Sequence, residues 1–290
     1  MSYEILCGIH SVLEALKAKR RSFEKIYISK DRSLSRIDEI IELAKNYKNR
    51  DKNRVGATQS NKTENIDIEF ASAAHLDNLS NGVKHQGVAA KVSMFPVKKA
   101  EDELKNWEFL DHLTAYNKKF IVVVEGVEDT HNLGAIIRTA ICAGVDHIVI
   151  PKDRATQPSS AISRISAGAM EHADIHIVTN TALYLRNLKK KGIWVAGLDA
   201  DGETSLFSSD LTDNIALVVG GEHQGIRPVV KKECDFLLSL PLAEVVEADS
   251  PPSPSFSKEI ITSLNASVAC GIAMYEVVRQ RGCLNFIPNS

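Results

Sequence analysis

The uninterrupted apolar run Ile121–Val124 is the feature that most constrains the fold of this chain. Consecutive β-branched residues without alternation are typical of a strand that is buried on both faces, as in a parallel sheet. The run is followed by an acidic turn and then by residues at helical spacing up to Ala140. The pattern therefore predicts a central parallel strand that leads into a helix. Because α/β proteins bind ligands at the carboxyl ends of such strands, we expect a site at this turn.

Apolar strands and amphipathic helices alternate along the rest of this half of the chain. This alternation predicts a mainly parallel sheet with helices on both sides. Asn180 is expected to cap one helix and Gly192 to end it, and Asn132 is well placed to cap the helix of the opening stretch. Further strands are predicted at 147–151, 174–178, 193–198, 215–220 and 236–241, and helices at 159–170, after Asn180 and over 263–282, the last with one face marked by Leu264, Val268, Ile272, Tyr275 and Val278.

The N-terminal part has the pattern of a small mixed α/β domain. We predict helices over 8–20 and 36–48 and strands in EKIYIS and HQGVAAKVSMF, with a polar loop over 49–64. The charged segment after Pro96 is interpreted as a linker with some helix, whose Trp107 and Phe109 pack back on one domain. The predicted organisation is therefore a domain over 1–95, a linker over 96–117 and a second domain over 118–290.

Composition indicates a globular chain without a membrane segment. Of the 290 residues, 44% are hydrophobic and 25% charged, and no apolar run is long enough to span a bilayer. The N-terminus mixes charged Glu4, Glu14 and Lys17 into its apolar positions, unlike a signal peptide. The five cysteines are scattered without a CxxC pair, so we predict reduced, buried thiols, no metal site and a cytoplasmic location.

Charge is distributed unevenly along the chain. Residues 1–100 carry 18 Lys and Arg against 12 Asp and Glu, although the whole chain has a net charge of −2. A basic N-terminal part suits contact with a polyanion such as nucleic acid, because Lys and Arg that bind phosphates release counterions, which favours binding. On charge alone, an ordinary solvated surface explains the excess equally well.

Three polar clusters each come after a predicted strand. In the first, Gly134 and Arg138 lie four residues apart on one helix face, which would let an anionic group approach the arginine; the alternative is a packing glycine and a solvated arginine. The second is GGEHQG, Gly220–Gly225, whose glycines would let the backbone approach a ligand. It is neither GxGxxG nor a P-loop, and a structural tight turn is the alternative.

The third cluster combines the LPL stretch at 240–242 with the SLN stretch at 263–265. Ser263 and Asn265 bring a hydroxyl and an amide to the start of the last helix, although Ser263 could equally be its N-cap. Since each cluster follows a predicted strand, their loops could converge at one edge of the sheet.

In order and spacing, these clusters closely resemble the three motifs of the SpoU/TrmH branch of the SPOUT RNA methyltransferases. The likeness runs from about residue 118 to the C-terminus, through Asn132–x–Gly134–x–x–x–Arg138, GGEHQG and SLPL…SLNASVACGIAMYEVVRQR. The fragments GIHSVLEAL and HQGVAA are similar to the substrate-binding domain of the RlmB-like subgroup, a small α/β module related to kink-turn-binding ribosomal proteins.

The resemblance implies methyl transfer from S-adenosylmethionine to a ribose 2′-hydroxyl of RNA. It further implies a trefoil knot in the C-terminal SPOUT domain, an exception to the usual rule against threading, and a homodimer with active sites at the interface. By motif, the implied catalytic or substrate-positioning residues are Asn132, Arg138, Glu222, Ser263 and Asn265, and the implied cofactor-pocket residues are Gly220, Gly225, Leu240 and Leu264.

A ribose hydroxyl is a poor nucleophile, so the site must accept its proton and align it with the methyl group. The family's motif-one arginine is proposed as the base, but an arginine is effectively always protonated. We therefore expect Arg138 to bind the RNA phosphate and stabilise the developing oxyanion, while Glu222 or His131 accepts the proton directly or through water.

The chain departs from the family pattern at two places. Thr130 stands where the family usually has proline. Between Pro241 and Ser263, positions that a much tighter loop normally joins, the chain carries EVVEADSPPSPSFSKEI. This composition predicts a loosely ordered surface loop that is passive in methyl transfer.

The leading hypothesis is a 2′-O-methyltransferase of large-subunit ribosomal RNA, acting on a guanosine. Transfer RNA is the alternative substrate, although the N-terminal module favours ribosomal RNA. A non-catalytic RNA-binding or ribosome-assembly protein of the same fold is the alternative from another class. An unrelated nucleotide-binding α/β enzyme would not explain three ordered motifs.

Overall fold

The chain forms two compact units in a computed structural model. The first unit comprises Met1–Val97 with Gln157–Ala173, and the second comprises Lys98–Thr156 with Asp174–Ser290. Some predicted features lie outside the described residues: the loop over 49–64, Phe109, His223 and, apart from Leu242, the loop between Pro241 and Ser263. The structure describes residues 2–30, 35–47, 66–105, 107, 118–222, 224–242 and 263–282.

The first unit is built on a four-stranded mixed sheet with the order β1-β4-β2-β3. β2 pairs in parallel with β3 and antiparallel with β4, which also pairs antiparallel with β1. Fully buried Leu16, Ile26 and Ile40 belong to its core, and the two helices predicted near the N-terminus are confirmed. Its elements are β1 (Tyr3–Cys7), α1 (Ile9–Ala18), β2 (Phe23–Ser29), α2 (Ser35–Lys45), β3 (Asp67–Ala71), α3 (Ala73–Leu79) and β4 (Val88–Ser93).

The segment Gln157–Ala173 belongs to the first unit and corrects the predicted helix over 159–170. That helix is broken into α6 (Ser160–Ile165) and a 3-10 helix over Ala169–His172. The break falls where Ala167 and Gly168 adopt positive φ angles of 53° and 85°. A side chain on Gly168 would lie 2.7 Å from the carbonyl oxygen of His10 on α1, so this close approach requires glycine.

A buried charge network ties the same segment into the first unit. Arg21 donates from Nε to Glu171 at 2.6 Å and also contacts Glu4, and the Arg21 and Glu171 side chains are fully buried. Ser163 donates to Glu171 at 2.7 Å. Burial alone would lower the pKa of Arg21, but the carboxylates of Glu171 and Glu4 outweigh it and raise that pKa.

The second unit contains an eight-stranded, entirely parallel sheet with the order β10-β12-β9-β11-β6-β7-β8-β5. This sheet confirms the predicted fold class, while the implied trefoil knot stays a prediction. Its strands are β5 (Lys98–Lys99), β6 (Phe120–Glu125), β7 (His147–Pro151), β8 (Ile175–Val178), β9 (Trp194–Leu198), β10 (Thr204–Ser205), β11 (Ile215–Gly220) and β12 (Phe236–Ser239). Its helices are α4 (Ala100–Lys105), α5 (Thr130–Cys142), α7 (Thr181–Lys189), α8 (Pro228–Lys231) and α9 (Ala266–Gln280).

β6 and β11 lie side by side at the centre of this sheet, and every residue of both is buried. Their last residues, Glu125 and Gly220, are paired in register. β7 and β8 continue the sheet beyond β6, whereas β9 and β12 continue it on the other side of β11. The strand order therefore reverses here, which is where α/β sheets open a crevice for ligands.

Helix predictions in the second unit were right about position, but the apolar face predicted for α9 is only partly buried, with Val278 buried and Ile272 half-buried. Asn180 caps α7 by accepting a hydrogen bond from the Leu183 backbone at 3.0 Å, as predicted. In α9, however, Cys270, Met274 and Val277 are among the buried residues. Of the face predicted from helical spacing, Leu264, Val268 and Tyr275 are 41%, 49% and 45% exposed. No helix among the described residues has the length and apolar character needed to cross a membrane.

Candidate active site

The turn after β6 positions Asn132. Gly126 opens the turn with φ 72°, and Asp129 caps α5 by accepting a hydrogen bond from the His131 backbone at 2.9 Å. Asn132 was predicted to be the cap, and this was wrong because the helix already begins at Thr130. Asn132 instead lies in the first turn of α5, only 6% exposed, with its amide directed to other side chains.

Three predicted site residues, Asn132, Glu222 and Asn265, form one hydrogen-bonded cluster. Asn132 donates from Nδ2 to Glu222 Oε1. Asn265 donates from Nδ2 to the same oxygen at 3.0 Å and to Asn132 Oδ1 at 3.1 Å. These residues lie after β6, after β11 and before α9. The loops that follow two central strands and precede the last helix therefore converge at the carboxyl edge of the sheet, as the sequence indicated.

The Glu222 carboxylate is held on one side and open on the other. Both amide donors bind Oε1, and Oε2 accepts no hydrogen bond from the part of the chain that the structure describes. The residue is exposed. A carboxylate fixed through one oxygen, with the other facing solvent, has the geometry that a general base needs.

Asn265 also caps α9. Its Oδ1 accepts hydrogen bonds from the Ser267 and Val268 backbone at 2.9 and 3.3 Å and from the Ser267 hydroxyl at 2.6 Å. The interpretation of Ser263 as the cap was therefore wrong, since α9 begins two residues later than that interpretation requires. Ser263 is exposed and lies two residues before Asn265.

The glycine turn after β11 folds tightly on itself. Gly225 donates from its backbone to Gly221 at 2.9 Å and has φ 58°. A side chain on Gly220 would overlap the backbone of Gly225, and one on Gly221 would overlap the carbonyl oxygen of Gly126. The turns after the two central strands therefore touch backbone to backbone, which only glycine permits.

An ion pair under these turns was not predicted. Glu125 is 1% exposed at the end of β6, and its Oε1 accepts a hydrogen bond from Arg227, which follows the glycine turn. Its Oε2 is buried without a hydrogen-bond partner among the residues that the structure describes. The sequence could have revealed this pair, because Glu125 is a carboxylate at the end of an otherwise apolar strand. A buried charge is costly unless it is paired. The pair stabilises the position of the glycine turn against β6.

The remaining predicted residues are near these turns in sequence but outside the hydrogen-bonded cluster. Arg138 is exposed on α5 and forms no ion pair within the described residues. Leu240 is half-buried just after β12, and Leu264 is 41% exposed just before α9. Leu264 directly precedes the Asn265 cap in sequence, and the roles of both leucines stay a prediction.

One group outside this site has the composition of a metal centre. Ligand atoms of His147, Asp174 and His176 lie within 4.8 Å of one another. However, Asp174 Oδ2 already accepts the Lys98 ammonium at 2.9 Å as well as both imidazoles, at 3.1 and 3.0 Å. Because a fixed cation already satisfies this carboxylate, we assign the group a structural role.

Comparison with known families gives two matches that together span most of the chain. The model of the SpoU rRNA Methylase family matches residues 119–248. The model described as RNA 2′-O ribose methyltransferase substrate binding matches residues 5–55 and 47–97. The first match covers the parallel sheet from β6 to β12 and the glycine turn, and the second covers the N-terminal α/β module.

Curated relatives match over nearly the whole length. The chain is 31% identical over 278 residues to the 23S rRNA (guanosine-2′-O-)-methyltransferase RlmB of Escherichia coli K12, covering 96% of this chain and 99% of the relative. It is 38% identical over 216 residues to the RlmB of Xanthomonas campestris, covering 74% and 79%.

Solved structures share the fold. The AdoMet complex of the SpoU methyltransferase AviRb from Streptomyces viridochromogenes has a TM-score of 0.67 at 18% identity, over 97% of this chain and 91% of that one. The AdoMet-bound rRNA methyltransferase from Sinorhizobium meliloti has a TM-score of 0.68 at 18% identity, over 96% and 87%. With the sequence matches, these findings define the class: the chain belongs to the SpoU family of RNA 2′-O-ribose methyltransferases.

Proposed function

We propose that this enzyme transfers a methyl group from S-adenosylmethionine to the ribose 2′-hydroxyl of a guanosine in 23S ribosomal RNA. The substrate is inferred from the names of the two RlmB relatives, one of which matches over nearly the whole length of both chains. The observation that carries the proposal is the Asn132–Glu222–Asn265 cluster at the carboxyl ends of β6 and β11. It supplies a positioned carboxylate, which deprotonation of a hydroxyl requires.

The residues around the glycine turn fit S-adenosylmethionine. Gly225 is exposed, with open space where a side chain would stand, and Gly220 lets the two ends of the turn pack closely, so a ligand can approach the backbone of this turn at close range. Leu240 and Leu264 would supply apolar walls for an adenine ring. We infer that these four residues hold the cofactor, which when bound supplies an activated methyl group on a sulfonium.

The mechanism assigns each polar residue one task. Glu222 accepts the proton of the ribose hydroxyl on Oε2, while Asn132 and Asn265 hold the carboxylate through Oε1. Arg138, exposed and always charged, binds the adjoining RNA phosphate and stabilises the developing oxyanion. Ser263 lies beside the cap of α9 and positions the ribose.

The decisive experiment compares wild type with Glu222→Gln on a 23S rRNA transcript and tritiated S-adenosylmethionine. Glutamine keeps the shape of the side chain but accepts a proton poorly, so we expect the single-turnover rate to fall about 100-fold or more. Cofactor affinity, measured by calorimetry, should change less than about twofold, because Glu222 faces the hydroxyl and not the cofactor. Mass spectrometry of the digested product should place the methyl group on guanosine ribose.

Different failures would have different meanings. Near-normal turnover by Glu222→Gln would refute its role as base and leave His131 as the candidate. Methylation of transfer RNA but not of the ribosomal transcript by wild type would refute the substrate. Cofactor binding without methylation of either RNA would favour the non-catalytic RNA-binding alternative.

The domain organisation is also part of the proposal. We propose a substrate-binding domain over 1–95, a linker over 96–117 and a SPOUT methyltransferase domain over 118–290. The two family matches support these bounds, since they end at 97 and begin at 119. A cytoplasmic location follows from a ribosomal RNA substrate.

We further propose a homodimer, for which the exposed apolar face of α9 is the supporting feature. Leu264, Val268 and Tyr275 leave much of their surface uncovered beside the site. Val268→Asp should convert a wild-type dimer to a monomer near 31.8 kDa in analytical ultracentrifugation, because burying an unpaired carboxylate in an interface is costly. The matched control is Leu183→Asp, at a residue of similar exposure on α7. A monomeric wild type would contradict the proposal.

A further inference from the structure

The loop that leaves β7 carries two exposed cations without ion pairs. Lys152 and Arg154 are exposed, and neither forms an ion pair with any residue that the structure describes. Several other cations of the second unit are paired, such as Lys98 with Asp174 at 2.9 Å. Asp153 lies between the two and is also exposed, so the loop has a net positive charge.

This loop is fixed to the turn that begins the active site. Lys152 donates from its backbone to Val178 at the end of β8, at 2.9 Å. Thr156 donates from its backbone to Val127 at 3.0 Å and from its hydroxyl to Glu128, both in the turn after β6. The loop is therefore held at one end against β8 and at the other against the turn that leads into Asn132.

Arg154 adopts an unfavourable backbone conformation between these two anchors. Its φ of 61° places it in the left-handed region, which a residue with a side chain rarely adopts. Its carbonyl oxygen lies 4.0 Å from the position that a side chain on Gly126 would occupy. Such conformations persist where the surroundings fix them, and they concentrate at sites of function. Here the conformation sets the direction in which the arginine leaves the loop.

We propose that Lys152 and Arg154 form a second RNA-phosphate contact of the methyltransferase, in addition to Arg138. The proposal rests on the proposed function, because it assumes an RNA substrate at this edge of the sheet. A phosphodiester backbone fits two exposed cations, since each contact releases counterions without burying the side chain. The carboxylate of the cofactor fits less well, because small-ligand sites enclose most of their ligand.

The test measures RNA affinity against salt for the full-length chain. Asparagine tolerates the left-handed conformation, so Arg154→Asn removes the charge with little effect on the backbone. We expect its dissociation constant for a 23S rRNA transcript to rise about three- to tenfold at 100 mM KCl, and the salt slope to fall by about one. Lys152→Gln should do the same. Asp153→Asn is the matched control of opposite sign and should bind more tightly.

Arg154→Gly separates a binding role from a structural one. Glycine relieves the left-handed backbone, so this variant should melt at a higher temperature than wild type and yet bind RNA as weakly as Arg154→Asn. A purely structural arginine would give lower stability and unchanged RNA affinity. Arg154→Lys should retain most of the salt slope.

Two results would overturn the proposal. One is unchanged RNA affinity and salt slope in Arg154→Asn and Lys152→Gln. The other is a loss of S-adenosylmethionine affinity with RNA binding intact, which would assign the cations to the cofactor. Failure of the proposed function would give a different result from failure of this proposal. Wild type would then bind the transcript without methylating it, and the RNA affinities of the variants could still be compared with that of wild type.

Discussion

Asn265 uses its two amide atoms for different purposes. Its Oδ1 accepts the backbone hydrogen bonds that cap α9, and its Nδ2 donates to Glu222 and Asn132. Since the same side chain serves the helix and the active-site cluster, a simple deletion would confuse loss of stability with loss of chemistry.

Asn265→Asp should separate the two tasks. Aspartate is as good an N-cap as asparagine, so the melting temperature should stay close to that of wild type. Its second oxygen, however, would face the Glu222 carboxylate where Nδ2 now donates at 3.0 Å. We expect methyl transfer to fall at least tenfold through like-charge repulsion.

The comparison variant is Asn265→Ala, which removes both functions. It should cost about 1 kcal/mol of stability for the lost cap, as well as activity. Thermal melts and single-turnover assays on both variants check the prediction. Equal stability of the alanine and asparagine forms would argue against the capping role.

The sequence indicated that the three cluster residues would lie close together, but not which hydrogen bonds they would form. Asn132, Glu222 and Asn265 each lie in a turn next to a predicted element, and parallel-sheet geometry brings such turns together. The hydrogen bonds between them depend on where each helix begins. Asp129 and Asn265, not Asn132 and Ser263, take the caps, and sequence alone cannot separate neighbouring residues that cap equally well.

Among the elements, the short strand β5 depends on Asp174. This carboxylate accepts hydrogen bonds from Lys98 of β5, from His147 of β7 and from His176 of β8. Burial alone would raise the pKa of Asp174, but these three hydrogen bonds outweigh it and hold the pKa well below its usual range.

Asp174→Asn should therefore destabilise the protein in a pH-dependent way. Because the pKa is lower in the folded state, the ionised carboxylate stabilises the fold above about pH 4, the unfolded value, and this stabilisation is lost as pH falls toward the folded value. At pH 7 the variant should lose about 1–3 kcal/mol of the free energy of unfolding. The difference from wild type should narrow between pH 4 and pH 2.

Urea unfolding across this pH range provides the measurement. Asp201→Asn is the control, because Asp201 is an exposed carboxylate in a turn. It should follow wild type at every pH. A constant difference between Asp174→Asn and wild type from pH 7 to pH 2 would contradict the electrostatic explanation.

Element predictions succeeded where the pattern was local and failed where distant contacts decided the outcome. The buried strands β6 and β11 are evident from their apolar runs. The break after α6 is not, because it arises from the close approach of Gly168 to His10 of α1. Helical spacing identified an apolar stripe on α9, but Leu264, Val268 and Tyr275 of that stripe are exposed. The buried face includes Cys270, Met274 and Val277, which the spacing did not single out.

For the whole molecule, the chain passes between its two compact units three times. It leaves the first unit after Val97, returns over Gln157–Ala173 and leaves again. The returning segment brings Glu171, the buried partner of Arg21. Stability of the first unit therefore depends on residues far from the N-terminal module in sequence.

Glu171→Ala should be strongly destabilising. Removing one partner of a buried ion pair leaves the other charge uncompensated, which typically costs about 3–5 kcal/mol. Glu4 still contacts Arg21, so we expect the lower end of this range. The free energy of unfolding from urea titration checks the value. In the control Glu233→Ala, which breaks the surface pair with Arg186, stability should hardly change. Equal effects of the two substitutions would contradict the importance of burial.

The distant partner of Arg21 also has a consequence for synthesis. Arg21 and Glu171 are 150 residues apart, and at typical rates of protein synthesis the ribosome needs on the order of 10 s to make that length. During this interval the nascent N-terminal module holds a guanidinium whose main counterion has not yet been translated. The module can therefore reach its final form only after residue 173 has emerged, and a product truncated before Gln157 would present this unfinished surface to chaperones and proteases.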